Sequence, residues 1–253
     1  MTILQLASDL HVDFHADKGV AIINELAANA DKVDYLIIAG DLCSSQYKGR
    51  IPETLKRLCD KFKHVIFITG NHEYYGSSFG EVDNLIRDMD DPNLPTYIPN
   101  LITLQAGKVH KIGEYEIIGD TAWFQNTGAA KLFTNYLNDF FEIRNFAKLV
   151  YKREEACRKF LEAKVNKNSI VVTHHLPTPE CISQRFKTSN INCYFLNDYS
   201  ELIRNRSPLI WMFGHTHDSV DMKLHNTRLI CNPLGYRGEH SNLTFNPSLL
   251  IEV

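Results

Sequence analysis

Five short apolar runs in this chain each break off into Asp, His or Asn. Thr2 to Ala7 (TILQLA) ends at Ser8-Asp9-Leu10-His11, and Asp34 to Ala39 (DYLIIA) ends at Gly40-Asp41. His64 to Thr69 (HVIFIT) ends at Gly70-Asn71-His72-Glu73. Ser169 to Thr173 (SIVVT) ends at His174-His175, and Pro208 to Phe213 (PLIWMF) ends at Gly214-His215-Thr216-His217. Runs this short and this continuously apolar read as strands buried on both faces. Parallel sheets bind ligands beyond the carboxyl ends of their strands. The polar clusters are therefore expected to gather along one sheet edge.

Helical spacing fills the intervals. Lys18 to Asn29 carries Val20, Ile23, Leu26 and Ala27 on one side, and Pro52 to Phe62 has Pro near its first turn. Phe79 to Met89 is a third helix, and Lys148 to Val165 is the longest. The resulting β-α-β-α-β rhythm predicts parallel strands with right-handed crossovers. Taken alone, it points to a single open sheet. The stretch up to Asp120, including Glu114 to Gly119, alternates like antiparallel strands. Val220 to Leu224, Arg228 to Cys231 and Leu249 to Val253 read as a β-meander. With no repeat, low-complexity segment or linker, the expectation is one domain over 1–253. Two irregular stretches near 121–147 and 177–197 resemble cap-like insertions. The first is rich in aromatics, among them Trp123, which read either as a satellite core or as a surface that stacks on a planar group. The second holds Arg185 and Lys187, which could meet a second phosphate or a carboxylate.

The bulk numbers restrict the function. Hydrophobic content of 44% and charged content of 23% are those of an ordinary globular protein. A net charge of −3 and a pI of about 6.4 give no basic footprint, so a long track for nucleic acid is disfavoured. No stretch is long and apolar enough to span a membrane, and no signal peptide is visible. Six cysteines with no C-x-x-C pair read as reduced thiols, mostly buried, in a cytoplasmic protein.

The polar clusters carry the chemistry. Two dications held about 3.5–4 Å apart need a shared anionic oxygen, and Asp41 suits that position. Asp9 and His11, two residues apart on an extended segment, project to one side, as do His215 and His217. Histidine and carboxylate suit Zn, Mn or Fe better than Ca. Asn71 adds a neutral carbonyl oxygen. Any one of these pieces is ordinary, since Gly-Asp is a common turn and H-x-H a common surface pattern. Their joint occurrence after five apolar runs points to a two-metal hydrolase of phosphate esters.

The order D-x-H, G-D, G-N-H-[D/E], H and G-H-x-H resembles the calcineurin-like metallophosphoesterase superfamily, here as Asp9–His11, Gly40-Asp41, Gly70–Glu73, His174 and Gly214–His217. The resemblance spans most of the chain. It implies an α/β fold in four layers (αββα), a β-sandwich flanked by helices. It also implies one metal on Asp9, His11, Asp41 and His217, and another on Asp41, Asn71, His174 and His215. His72 would act near the leaving group, as general acid or as a positive donor to the phosphate. A hydroxide bridging the two metals would attack phosphorus in line.

The second block, Gly40-Asp41-Leu42-Cys43-Ser44-Ser45, lacks the GDYVDRG residues of the Ser/Thr protein phosphatase branch. That removes the carboxylate partner expected for His72 and argues against a phosphoprotein substrate. His174-His175-Leu176-Pro177 is similar to the His-His-Pro-Pro of the cyclic-nucleotide and glycerophosphodiester branch. Asn232-Pro233 resembles a segment common near the family's site, and reads equally well as a turn. The expected function is hydrolysis of a small-molecule or nucleotide phosphodiester or monoester. The alternatives are a nuclease of the same superfamily and a non-enzymatic scaffold on the same fold.

Overall fold

The computed structural model describes residues 1–47 and 49–253. Its strands are β1 (Ile3–Ala7), β2 (Tyr35–Ala39), β3 (Val65–Ile68), β4 (Leu101–Thr103), β5 (Val109–Ile112), β6 (Tyr115–Asp120), β7 (Ser169–Thr173), β8 (Ile210–Phe213), β9 (Val220–Leu224), β10 (Thr227–Cys231) and β11 (Leu250–Glu252). The α-helices are α1 (Val20–Leu26), α2 (Arg50–Cys59), α3 (Phe79–Met89), α4 (Gly128–Leu132), α5 (Asp139–Glu142), α6 (Phe146–Lys164), α7 (Ser200–Arg206) and α8 (Ser241–Thr244). Helix α3 starts where its sequence dictates. Ser78 caps it by accepting the Glu81 N–H at 3.4 Å, and the Ser-x-x-Glu spacing is that of a capping box.

The strands form two sheets rather than one. The first runs β11-β1-β2-β3-β4 and the second β5-β6-β7-β8-β10-β9. Both are parallel at their centres; the first is antiparallel at one edge and the second at both. The reason lies in the period-two pattern of strands that are apolar on both faces. Leu4 and Leu6 of β1, Ile37 of β2 and Ile66 of β3 face Ile117, Ile170, Val172 and Met212 of the second sheet in an apolar inner layer. The opposite faces are covered by helices. Leu36, Ile38 and Phe67 pack under Leu26, Leu55, Val82 and Ile86, while Val171, Trp211 and Leu229 pack under Cys157, Leu161 and Ile203. The layering is therefore helix, sheet, sheet, helix, as the resemblance implied.

The tail is not the meander expected from its alternation. Strands β9 and β10 form a hairpin, but β10 continues the parallel order beside β8. Strand β11 crosses to the other sheet, antiparallel to β1 with Leu4 opposite Ile251. There it covers what would be an open edge at β1 and buries Ile251 in the inner layer. All six cysteines are free, and only Cys193 is not fully buried. Among the described residues, no helix is long and apolar enough to cross a membrane.

Candidate metal centre

The ends of β1, β2, β3, β7 and β8 meet at one rim of the sandwich, stitched by backbone hydrogen bonds. Asp9 N–H donates to the Gly40 carbonyl at 3.0 Å and Gly214 N–H to the His174 carbonyl at 3.0 Å. Ser8 N–H donates to the Asn232 carbonyl at 3.1 Å, joining the first sheet to the segment after β10. Each turn is sharp. Asp9, His11, Asp41, His215 and His217 all adopt positive φ, between 41° and 69°. Such a conformation costs a non-glycine residue about 1 kcal/mol or more and is retained where surrounding structure enforces it. The approach is also close. A Cβ on Gly70 would lie 2.1 Å from Asp41 Oδ1, so only glycine lets the two loops touch.

Two ligand groups result, with Asp41 common to both. In one, donor atoms of Asp9, His11, Asp41 and His217 lie within 4.8 Å of one another. His11 Nε2 is 3.1 Å from His217 Nε2 and 3.8 Å from Asp41 Oδ2, and His217 Nε2 is 3.5 Å from Asp9 Oδ1. In the other, Asp41, His174 and His215 converge equally closely. His174 Nε2 is 3.3 Å from Asp41 Oδ1, 3.2 Å from His215 Nδ1 and 3.1 Å from Asn71 Oδ1. The structure thus brings together all seven residues expected to ligate metal.

The donor chemistry fits cations. His174 Nδ1 lies 2.9 Å from the Ala39 carbonyl and must carry a proton there, which leaves Nε2 of the neutral ring as a lone pair. Asn71 Nδ2 donates to Asp139 Oδ1 at 2.9 Å and to Tyr75 Oη at 3.1 Å, which turns Oδ1 toward the site. The Nε2 lone pair of His174 therefore faces the Asn71 amide oxygen and the Asp41 carboxylate, acceptor against acceptor, an arrangement that calls for a cation. In the metal-free protein, protons take that part. Burial pulls the His174 imidazole down, but Asp41 more than restores it, to about 9. His217 is likewise depressed by burial and pushed up to about 9 by Asp9 and Glu239. Burial alone accounts for most of the fall of His11 to about 3. Burial raises the Asp41 carboxyl, yet His174, His72 and His11 outweigh it and hold Asp41 well below the usual carboxylate range.

Several supporting residues had no role assigned from sequence. Glu73 is buried, and its carboxyl accepts N–H bonds from Asp41 (3.1 Å), Leu42 (2.6 Å), Cys43 (3.1 Å) and Gly70 (2.6 Å). It clamps the loops after β2 and β3. Burial and the Asp41 charge push it up to about 8. Four N–H donors facing two oxygens leave no place for a proton, so the geometry holds the anion. Glu239 Oε2 lies 2.6 Å from His217 Nδ1 and sets that ring's orientation, as carboxylates do behind metal-bound histidines. Tyr236 Oη lies 3.0 Å from His72 Nε2. Its ring stacks on His11 with centroids 4.4 Å apart, and Tyr75 stacks on His72 at 4.3 Å. Asn232 is structural. It donates to the Leu6 carbonyl at 2.7 Å, fixing the turn that delivers Tyr236. Glu73 stood in a quoted motif and Tyr236 lies just after the Asn232-Pro233 segment, but nothing in the sequence ties Glu239 or Asp139 to the site.

A cavity of about 630 Å³ opens above the cluster, with Asp41, Asn71, His72, His215 and His217 on its floor. Its walls include Tyr136, Leu137 and Asn138 from the first irregular stretch and residues between Ile182 and Phe195 from the second. Trp123 is not among them. It is 1% exposed and packed against Tyr74, Phe79 and Phe146, because the chain leaving β6 runs back over the outer face of the first sheet. Stacking of Trp123 on a ligand is excluded. Arg185 lines the cavity but is held bidentately by Asp218, at 2.8 and 3.2 Å. Lys187 is outside it, donating to the Pro179 carbonyl at 2.8 Å.

Comparison with known proteins agrees with this geometry. A family profile described as calcineurin-like phosphoesterase matches residues 1–219. An uncharacterised protein, L509, of Acanthamoeba polyphaga mimivirus is 25% identical over all of this chain and 97% of its own length. The phosphopantetheinyl hydrolase of Mycobacterium tuberculosis superposes with a TM-score of 0.70 at 16% identity, over 95% of this chain and 94% of that one. A dimetal phosphatase from Danio rerio superposes with a TM-score of 0.57 at 12% identity, over 95% and 90%. At these identities the superpositions establish a common fold.

Proposed function

We propose that this chain, which belongs to the calcineurin-like phosphoesterase family, is a dinuclear metal-dependent phosphohydrolase of small organic phosphate esters. The observation that carries the reading is Asp41. One carboxylate oxygen faces His11 at 3.8 Å and the other faces His174 at 3.3 Å, so a single anion is common to two ligand groups. Asp9, His11, Asp41 and His217 would hold one ion, and Asp41, Asn71, His174 and His215 the other. Zn, Mn and Fe suit this mixture of imidazole, carboxylate and amide oxygen. When bound, the ions supply Lewis acidity toward the phosphoryl group and lower the pKa of the attacking water.

The chain's own residues orient and protonate. His72 lines the cavity beside Asp41, and its backbone N–H donates to Asp41 Oδ1 at 2.9 Å. From there its ring acts on the leaving oxygen as general acid, or on the phosphoryl group as a positive donor. Tyr236 and Tyr75 hold the ring in place. A walled cavity of about 630 Å³ supports a small ester over a polymer, and the full ligand set supports catalysis over a scaffold role. Free thiols fit a reducing, cytoplasmic setting.

The test is metal content of the purified protein together with turnover of bis(p-nitrophenyl) phosphate, p-nitrophenyl phosphate and single-stranded DNA. We expect turnover of an aryl ester, loss of it on chelation, and no cleavage of DNA. Absence of turnover in protein carrying its full metal complement would refute the reading.

A further inference from the structure

We propose that the substrate carries its phosphoryl group on an uncharged, largely apolar arm, which lies along the wall formed by the stretch 176–195. This inference rests on the phosphohydrolase reading of the same site and names the class of ester it takes. The wall begins at the metal cluster itself. The Phe195 ring lies against the His215 imidazole with centroids 4.5 Å apart. From Phe195 it continues through Leu176, Ile191, Ile182 and Phe186, with Leu137 also lining the cavity. Phe186 is 41% exposed, a large apolar side chain left open on a surface that shapes a cavity. A volume of about 630 Å³ is more than a phosphoryl group needs and is typical of sites that take a sizeable organic ligand.

The charge of the wall points the same way. Of the described residues that line the cavity, Arg185 alone carries a permanent positive charge. Asp218 occupies it through two hydrogen bonds, and its guanidinium also lies 4.5 Å from the Phe186 ring. A second phosphate or a carboxylate on the arm would meet a cation whose charge Asp218 already matches, rather than an unpaired one. Arg185, expected from the sequence to meet a second phosphate or a carboxylate, is here paired with Asp218. The cation is spent on holding the wall against the strand-end segment that carries His217 and Asp218.

Alkylphosphonates test this without assuming which ester is cleaved, since their C–P bond survives. With metal-loaded protein, inhibition of p-nitrophenyl phosphate or bis(p-nitrophenyl) phosphate turnover is measured for methyl-, propyl- and hexylphosphonate. 6-Phosphonohexanoate serves as the charged comparator. A fully buried methylene is worth roughly fourfold, so Ki should fall at least about tenfold from methyl to hexyl and rise again with the terminal carboxylate. Calorimetry of hexylphosphonate should show a more negative heat-capacity change than methylphosphonate. The ratio of methyl to hexyl Ki should collapse toward one in Phe186→Ala and in Ile182→Asp, and being a ratio it is immune to a general loss of activity. A Ki independent of chain length, or tightest for the carboxylate, would overturn the inference while leaving the hydrolase reading intact. No turnover of either aryl ester would overturn the hydrolase reading, and this inference with it.

Discussion

Tyr236 places its hydroxyl 3.0 Å from Nε2 of His72, although the two residues come from loops after β10 and β3. The segment after Asp41 lacks a carboxylate partner for His72, and the tyrosine supplies a hydrogen-bond partner from a different loop. A phenol hydrogen-bonds the imidazole without adding charge to a site already crowded with carboxylates. We expect Tyr236 to act on the reaction through His72, and that has a kinetic consequence. His72→Ala should lose about 10²–10⁴-fold in rate, and less for a nitrophenyl ester than for an alkyl ester, which needs its leaving oxygen protonated. Tyr236→Phe should lose only about tenfold, and the double variant should be no slower than His72→Ala alone. Steady-state kinetics on both ester types decides it, and additive losses would show that Tyr236 acts independently.

The clamp at Glu73 predicts a stability effect. In Glu73→Gln, an amide NH₂ would replace one oxygen and face backbone N–H groups that now donate to it. The variant should lose about 2–3 kcal/mol of stability, read as a lower urea midpoint, and should also bind metal less well. A midpoint unchanged from wild type would remove Glu73 from the account.

Metal-stripped protein should be most stable near pH 6.5. His174 and His217, raised in the fold from 6.5 to about 9, contribute stability that is complete below pH 6.5 and is lost as pH rises through 9. His11 and His175, lowered to about 3, favour the unfolded chain once it takes up protons below pH 6.5. Metal-loaded protein should lose the alkaline decline, because ligated imidazoles carry no proton at the metal. Thermal midpoints between about pH 5 and pH 9, with and without chelator, measure this. A chelated protein that grows steadily more stable toward pH 9 would contradict it.

Much of this architecture was legible because strands buried on both faces leave a distinctive run, and Asp, His and Asn after such runs are informative residue types. The pairing of residues far apart was less legible. Glu239 behind His217 and Asp139 behind Asn71 are ordinary acidic residues whose meaning comes only from folding. Trp123 shows the opposite error. An aromatic beside a site loop reads the same whether it walls a pocket or fills a core, and here it fills the core. Strand β11 alternates like its neighbours β9 and β10, so nothing local signalled that it would cross to the other sheet.

The central claim is that Asp41 is the anion shared between two metal ions, and the direct measurement is metal stoichiometry with turnover in Asp41→Asn. Wild-type protein should carry two metal equivalents. The variant keeps the shape of the side chain but loses the charge that compensates both cations. It should hold markedly less metal after dialysis and turn over aryl phosphate esters at background rate. Retention of two metals with near-normal turnover would contradict the account.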